Sequence, residues 1–353
     1  MLAGNVVGPS GGSVYDDRVA AGLSAQGWDV RRTDLAGSWP VGDLDARAQL
    51  AATLAAVPDG GLVLTDGLVA CGVPDVIEKA AERLRIVVLV HLPLPDETGL
   101  SAAAAAELAV LERRTLRAVA AVVVTSPWAA GRLAAYDLPA GRIRIAPPGT
   151  DPAPLARGSA SAGTPELLCV ASVTPRKDQL TLVEALALIS DLPWRCTCAG
   201  PLDRAPEYVL RVQDRIARHG LDQRLRLVGP LEGEGLATAY DSADLVLLVS
   251  RTETFGMVIT EALSRGIPVV TTAGGATGQT LGRSPDGAMP GLLVSPGDPR
   301  ALAAAVRDWL TDEALRARLQ ASARARRGTL ETWPATTATL SAVLDGLVAV
   351  RAR

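Results

Sequence analysis

The run Leu245 to Val249 is apolar at every position and is bounded by polar residues, the pattern of a strand buried on both faces of a parallel sheet. A loop follows, Ser250 to Phe255, carrying Glu253. From Gly256 the spacing predicts a helix: Met257, Ile259 and Leu263 pack, while Glu261 and Arg265 stay polar. Gly266 ends it, and Ile267 to Thr272 reads as the next strand. Strand, loop, helix and strand then recur along the chain. In the first half, short strands are expected at residues 2–7, Trp28–Arg32, Leu62–Thr65, Ile86–His91, Ala121–Thr125 and Arg142–Ala146. Helices fall between them, at Val14 to Gly27, Asp43–Ala56, Val73–Arg83 and Ala102–Val119. In the second half, strands are expected near Leu167–Ala171, Arg195–Ala199, Arg224–Val228, Leu245–Val249, Val269–Thr272 and Leu292–Val294, again separated by helical segments. Such alternation predicts an α/β chain with doubly wound parallel sheets.

The alternation breaks at Pro147 to Pro165, where Pro, Gly, Ala and Ser dominate without periodicity. The expected division is therefore a first domain over 1–150, a linker over 151–165 and a second domain over 166–332. A last helix, Trp333 to Val350, follows a second non-periodic break and opens a terminal segment, 333–353. Two domains suit 353 residues, and a cleft between them is expected.

Composition narrows the function. The formal net charge is -3, and there is no basic tract or basic-aromatic stripe, which argues against nucleic acid as a partner. Arg and Ala are used heavily and lysine occurs only at Lys79 and Lys177, so a single arginine carries little information. The four cysteines, Cys71, Cys169, Cys196 and Cys198, lack zinc spacing and read as buried thiols. No apolar run reaches the ~20 residues of a membrane span, no signal peptide is visible, and a cytoplasmic protein is expected. Arg113, Arg114 and Arg117 cluster on one helix and are the candidate for peripheral contact with an anionic membrane; Glu107 and Glu112 favour a solvated face instead.

Candidate chemistry gathers at strand ends, where open α/β sheets bind ligands. The Gly8-Pro9-Ser10-Gly11-Gly12-Ser13 stretch lies between a strand and a helix. Its glycines would permit positive φ and close approach of an anion to the helix N-terminus, or merely form a tight turn. It is neither a dinucleotide fingerprint nor a Walker loop, so a nicotinamide dehydrogenase is disfavoured. His91 ends a strand and is followed by Pro93, Pro95, Asp96 and Glu97. Arg176 and Lys177 precede a helix N-terminus, the wrong end for a cation, so a bound diphosphate would rationalise them. Glu253 could favour the helix dipole, and Glu261 could pair with Arg265 four residues on. Alternatively the two carboxylates accept from ligand hydroxyls, with the Phe255, Gly256 and Met257 amides facing an anion.

The segment from Glu253 through Phe255-Gly256 to Glu261-Ala262, with Gly266-Ile267-Pro268-Val269 after it, resembles the Glu-x7-Glu motif of retaining glycosyltransferases of family 4, which have the GT-B fold. The resemblance extends through Ala199-Gly200-Pro201, Leu227-Val228-Gly229, Gly274-Gly275 and Pro296-Gly297-Asp298, and less tightly through Gly11-Gly12, His91 and Pro148-Gly149 in the first half. It implies two Rossmann-like domains, the acceptor mainly on the first and the donor on the second, with the 333–353 segment crossing back to the first. It also implies transfer of a sugar, with retention, from a nucleotide-diphosphate donor such as GDP-mannose or a UDP-hexose. The acceptor would be a hydroxyl of a sugar, a lipid-linked compound or a small molecule. Glu261 would hold the ribose, Glu253 the donor sugar, and Lys177 the diphosphate, together with Gly11, Gly12 and the Phe255 to Met257 amides. His91 would contact the sugar. No cofactor and no metal is implied. The sequence departs from the family pattern at Ser172, where an arginine is common and whose charge Arg176 would supply instead. It departs again at Thr254 and at Gly278, the position of a usual glutamate. Two other functions share this architecture: a sugar-nucleotide epimerase, which would need more acids and histidines than His91 alone, and a non-catalytic sugar-nucleotide binding protein.

Overall fold

A computed structural model describes residues 1–4, 10–159 and 163–349. The chain divides into two compact units, Met1–Gly149 together with the segment from Glu331 onward, and Thr150–Leu330.

Among the described residues the first unit holds six strands: β1 (Leu2–Gly4), β2 (Thr33–Leu35), β3 (Leu62–Asp66), β4 (Arg85–Val90), β5 (Ala121–Val124) and β6 (Ile143–Ile145). They form one parallel sheet in the order β2-β1-β3-β4-β5-β6. The strand expected at Trp28–Arg32 lies instead at Thr33–Leu35, where Leu35 pairs with Gly4 and enters the core. Trp28 is turned to the last helix, where its Nε1 donates to Ser341 Oγ at 2.9 Å. The polar run from Asp29 to Arg32 offers no apolar face to a sheet. Residues 5–7 of the expected first strand, like Gly8 and Pro9, lie outside the described residues.

The second unit holds β7 (Glu166–Val170), β8 (Arg195–Ala199), β9 (Leu225–Gly229), β10 (Leu245–Leu248), β11 (Val269–Thr272) and β12 (Gly291–Val294). Their order, β12-β11-β10-β7-β8-β9, is the doubly wound arrangement in which the chain reverses direction between β7 and β10. Burial on both faces explains the unbroken apolar run: Leu245, Leu247 and Val249 join one core with Trp194 and Val306, while Val246 and Leu248 join another with Tyr240 and Ile259.

Residues 151–158, expected as part of a linker, have no regular element but are tied along the second unit. The Ala156 amide donates to Arg265 O at 2.9 Å and the Gly158 amide to Asp241 O at 2.9 Å. The final helix, Trp333–Ala349, packs on the Gly11–Ala25 helix of the first unit. There a Cβ on Gly22 would sit 2.3 Å from Thr337 Oγ1, and Thr336 Oγ1 donates to Pro147 O at 2.7 Å. Val350 lies outside the described residues.

Candidate functional site

Two groups of side chains collect at strand ends, one on each unit. On the second unit, Lys177 lies in the loop after β7 and Glu253 in the loop after β10, the two strands that flank the reversal. The lysine ammonium is ion-paired with Glu253 Oε1, Arg176 Nη1 lies 3.6 Å from Oε2, and Ser250 Oγ donates to Oε1 at 2.5 Å. Glu253 is 6% exposed. Burial opposes its ionisation, but Lys177, Arg176 and the Ser250 hydroxyl outweigh burial and hold its pKa below the ordinary value. Arg176 and Lys177, which the sequence places against a helix N-terminus, are thus balanced by Glu253 in the protein itself.

Local geometry explains how the two loops meet. Asp178 adopts φ of +52°, in the left-handed region, and is buried. Such a conformation costs of order 1–3 kcal/mol in a non-glycine residue. Its side chain repays this by accepting from Thr181 Oγ1 at 2.8 Å and pairing with Arg251 at 3.1 Å, while the Arg251 amide donates to Arg176 O at 2.8 Å. Arg251 and Asp178 therefore stitch the β7 loop to the β10 loop. On the other side, the Glu253 amide donates to Gly274 O at 3.2 Å and its carbonyl accepts from the Ala276 amide at 2.8 Å. Gly275 has φ of +76°, and a Cβ there would lie 2.1 Å from Glu253 O; only glycine lets the β11 loop close on the glutamate.

Gly256, at φ of +88°, caps the Met257–Ser264 helix, and Phe255 O accepts from Thr280 Oγ1 at 2.6 Å. The amides at this helix start are the ones a helix leaves unsatisfied. Glu261 lies one turn on, half-buried, and accepts from the Tyr240 hydroxyl at 2.6 Å. The i,i+4 ion pair that Glu261 could have made with Arg265 gives way to another arrangement. Arg265 Nη1 donates to the Glu261 carbonyl at 2.9 Å, and the guanidinium lies 4.5 Å from the centre of the Tyr240 ring. Burial raises the Glu261 pKa, against the lowering effects of Tyr240 and Arg265. At position 172 the serine carbonyl accepts from Gln179 Nε2 at 3.0 Å.

On the first unit, Gly11 and Gly12 open the Gly11–Ala25 helix, capped by Ser10 and Ser13 in a reciprocal capping box. They are helical, so positive φ is not their role. At Gly12 a Cβ would stand 3.2 Å from His91 Cδ2, and the glycine lets the helix approach the imidazole. His91 lies one residue beyond β4. Its Nε2 is 2.9 Å from Asp16 Oδ1, and Tyr15 meets its ring edge to face at 5.2 Å. Burial alone would lower its pKa; the Asp16 carboxylate, with Asp66 behind it, outweighs burial and raises it to about 9. The imidazole is therefore a cation and a donor at neutral pH. Ligand atoms of Asp16, Asp66 and His91 lie within 4.8 Å of one another, a spacing that could hold a metal ion. The Asp16–His91 hydrogen bond accounts for the closest approach without one.

The loop after His91 is pinned twice. Arg132 grips Asp96, with Nε to Oδ2 at 2.9 Å, and Glu112 Oε1 accepts from the Leu94 amide at 3.1 Å. Glu97 turns back on the Thr98 amide at 2.9 Å. Glu112, expected on a solvated face, is fully buried, with Oε2 accepting from Tyr136 OH at 2.7 Å. Arg113 and Arg114 of the same helix are each paired, with Asp137 and Glu78 at 2.8 Å. Burial pushes the Glu112 carboxyl up to about 7. A buried acid with a raised pKa stabilises the fold while protonated and loses that contribution as pH rises from its unfolded value, about 4.5, through about 7. This amounts to roughly 3 kcal/mol. Glu112→Gln is expected to flatten that part of the stability profile. Denaturant unfolding at about pH 5 and about pH 7.5 measures it, and an unchanged slope in the variant would assign the titration elsewhere.

Arg251, Asp178, Tyr240, Asp16 and Asp66 carry no motif signal and emerge only from the structure; Ser250, which precedes the Glu-x7-Glu stretch in the sequence, gains its role as a partner of Glu253 there. All four cysteines are buried and free, and among the described residues no helix is long and apolar enough to cross a membrane.

Two doubly wound parallel units with their polar clusters at the carboxyl ends define a protein of the GT-B fold. Solved structures share it: a sucrose-phosphate synthase from Thermosynechococcus elongatus at TM-score 0.81, 23% identity and 99% of both chains, and Anabaena HepE in complex with UDP and glucose at TM-score 0.77, 19% identity, 98% of this chain and 99% of that one. Residues 5–149 match the glycosyl transferase 4-like domain, and residues 156–326 match the family described as glycosyl transferases group 1. One match falls on each of the two units. Among relatives, the D-inositol 3-phosphate glycosyltransferase of Kineococcus radiotolerans is 33% identical over 222 residues, 57% of this chain and 51% of that protein. The protein of the same name from Jonesia denitrificans is 32% identical over 180 residues, 49% of this chain and 41% of that one. The chain spans about half the length, or less, of these relatives.

Proposed function

We propose that the protein is a glycosyltransferase that moves a hexose from a nucleotide-diphosphate sugar to a hydroxyl acceptor, with retention and without a metal ion. The observation that carries this is the Glu253 cluster at the β7/β10 reversal: a carboxylate held ionised by two cations, beside the start of a helix. Doubly wound sheets bind nucleotides at such a reversal.

In this reading the diphosphate takes Lys177 and Arg176 as partners, together with the Phe255, Gly256 and Met257 amides, and Glu261 accepts from the ribose diol. Glu253, released from its cations, accepts from hydroxyls of the donor sugar. As the bond to the diphosphate breaks, negative charge grows on the leaving oxygen, and the cations and amides stabilise it in the transition state. The acceptor hydroxyl approaches from the leaving-group side and gives its proton to the departing diphosphate. On the first unit, His91 is a charged hydrogen-bond donor to the sugar, oriented by Asp16, and the Gly11–Gly12 helix start is a second source of amides for the phosphates.

UDP is the first nucleotide to test, because the HepE neighbour is complexed with UDP and glucose; GDP is the second. Saturation with the right one raises the melting temperature, by about 2.7 kcal/mol of added stability at a hundredfold excess over Kd. No shift with either nucleotide would overturn the proposal.

A further inference from the structure

We propose that Tyr240 is a positioning residue for nucleotide binding: its hydroxyl fixes one oxygen of the Glu261 carboxylate and leaves the other turned to the ribose diol. This rests on the reading of Glu261 as the ribose-binding carboxylate.

Tyr240 belongs to the Gly233–Ser242 helix, which precedes β10, whereas Glu261 belongs to the helix that follows it. The tyrosine is completely buried, in a core with Leu168, Val246, Ile259 and Leu263. Packing alone would be served by phenylalanine, which fills the same space without a buried hydroxyl to satisfy. The hydroxyl donates to Glu261 Oε2 at 2.6 Å, and the ring is held in place by the Arg265 guanidinium above it. Arg265 is itself fixed by its bond to the Glu261 carbonyl. The glutamate is thereby gripped at both its main chain and its side chain.

Two consequences follow for a diol ligand. First, a glutamate side chain has three torsions, and anchoring one oxygen removes most of the freedom that ordering it on binding would otherwise cost. Second, an ionised carboxylate is a pure acceptor and the stronger partner for two vicinal hydroxyls, whereas the neutral acid spends one oxygen on its own proton. Burial pushes Glu261 toward the neutral form and Asp151 pushes the same way; Tyr240 and Arg265 oppose them. Without the hydroxyl, Arg265 opposes burial with less help.

The test compares binding of UDP with 2′-deoxy-UDP, and of GDP with 2′-deoxy-GDP, by calorimetry. The unmutated chain is expected to prefer the ribonucleotide by roughly tenfold or more, the worth of one hydrogen bond to a charged group. Tyr240→Phe is expected to bring that ratio close to one, whereas a general loss of packing would lower both affinities alike and leave the ratio unchanged. Glu261→Ala must also collapse the ratio. If it does and Tyr240→Phe keeps the full ratio, Tyr240 is only a core residue and the proposal fails, with the role of Glu261 intact. If Glu261→Ala keeps the ratio, or neither nucleotide binds, the role of Glu261 fails and the proposal with it. Should the phenylalanine variant not fold, 3-fluorotyrosine at position 240 serves in its place. It packs alike and donates more strongly, so it is expected to raise the ratio; an unchanged ratio overturns the proposal.

Discussion

Replacing Glu253 with alanine is expected to abolish sugar transfer while leaving nucleoside diphosphate binding largely intact. The carboxylate is buried, yet ionised, because Lys177, Arg176 and Ser250 surround it. Truncation removes the group proposed to hold the donor sugar, and the loss of such a preorganised polar contact lowers turnover roughly 10²- to 10³-fold. Nucleotide affinity responds differently. Lys177 and Arg176 lose the carboxylate that competes for them, so a diphosphate meets two cations that no longer have to be released. Affinity for the nucleotide is then expected to hold or rise. Breaking a buried ion pair from one side commonly costs roughly 3–5 kcal/mol. The cost here falls below that range, since Lys177 and Arg176 retain side-chain exposures of 16% and 22%. Calorimetry with UDP and GDP, paired with an assay of donor turnover, separates the two effects. Transfer at the unmutated rate would remove Glu253 from the mechanism. A collapse of nucleotide binding alongside transfer would make the residue structural.

Gly200→Ala is expected to destabilise the second unit severely. Gly200 follows β8, and an added Cβ would lie 2.0 Å from Ala171 O and 2.8 Å from Ser172 N. Both are backbone atoms. They cannot move away without breaking the bonds between the ends of β7 and β8, among them Ala171 N to Ala199 O and Val173 N to Pro201 O at 2.9 Å. Overpacking at a site that cannot relax costs about 3 kcal/mol or more, or about 6–12 °C in melting temperature for a unit of this size. Gly220→Ala provides the contrast. Its φ is +63° and nothing lies within 4 Å of the added Cβ, so only the backbone strain of about 1 kcal/mol is expected. Equal melting temperatures for the two variants would contradict the close packing at Gly200. Because Ser172 to Lys177 continue directly from this contact, any residual folded Gly200→Ala protein is also expected to bind nucleotide poorly.

The fold was legible wherever a strand is buried on both faces or a helix has one apolar side. Among the described residues, β3, β4, β5 and the strands of the second unit lie close to their expected places; for β4, β5 and β10 the reason is an apolar run that has few other uses in a chain of this kind. The edge of the first sheet was not. β2 is three residues long, and its position is set by pairing with Leu2 to Gly4, a contact that no local pattern encodes. Likewise the segment after Pro147 reads as a linker because it lacks periodicity, yet its hydrogen bonds run to Arg265 and Asp241, about a hundred residues away.

By itself the sequence determined the alternation of elements, the division into two halves, and the glutamates, lysine, histidine and glycines at strand ends. These are statements about residue type and spacing, and strands and helices translate spacing directly into which end and which face a side chain occupies. Only the tertiary structure decided which charges neutralise which. It joined Lys177 and Arg176 to Glu253, Asp16 to His91, and Tyr240 to Glu261 across separations of 76, 77, 75 and 21 residues. It also turned Glu112 from a surface charge into a buried acid. Pairing, burial and the pKa of an acid depend on what the folded chain brings within a few ångströms, and charge interactions at that range outweigh any preference a residue carries alone.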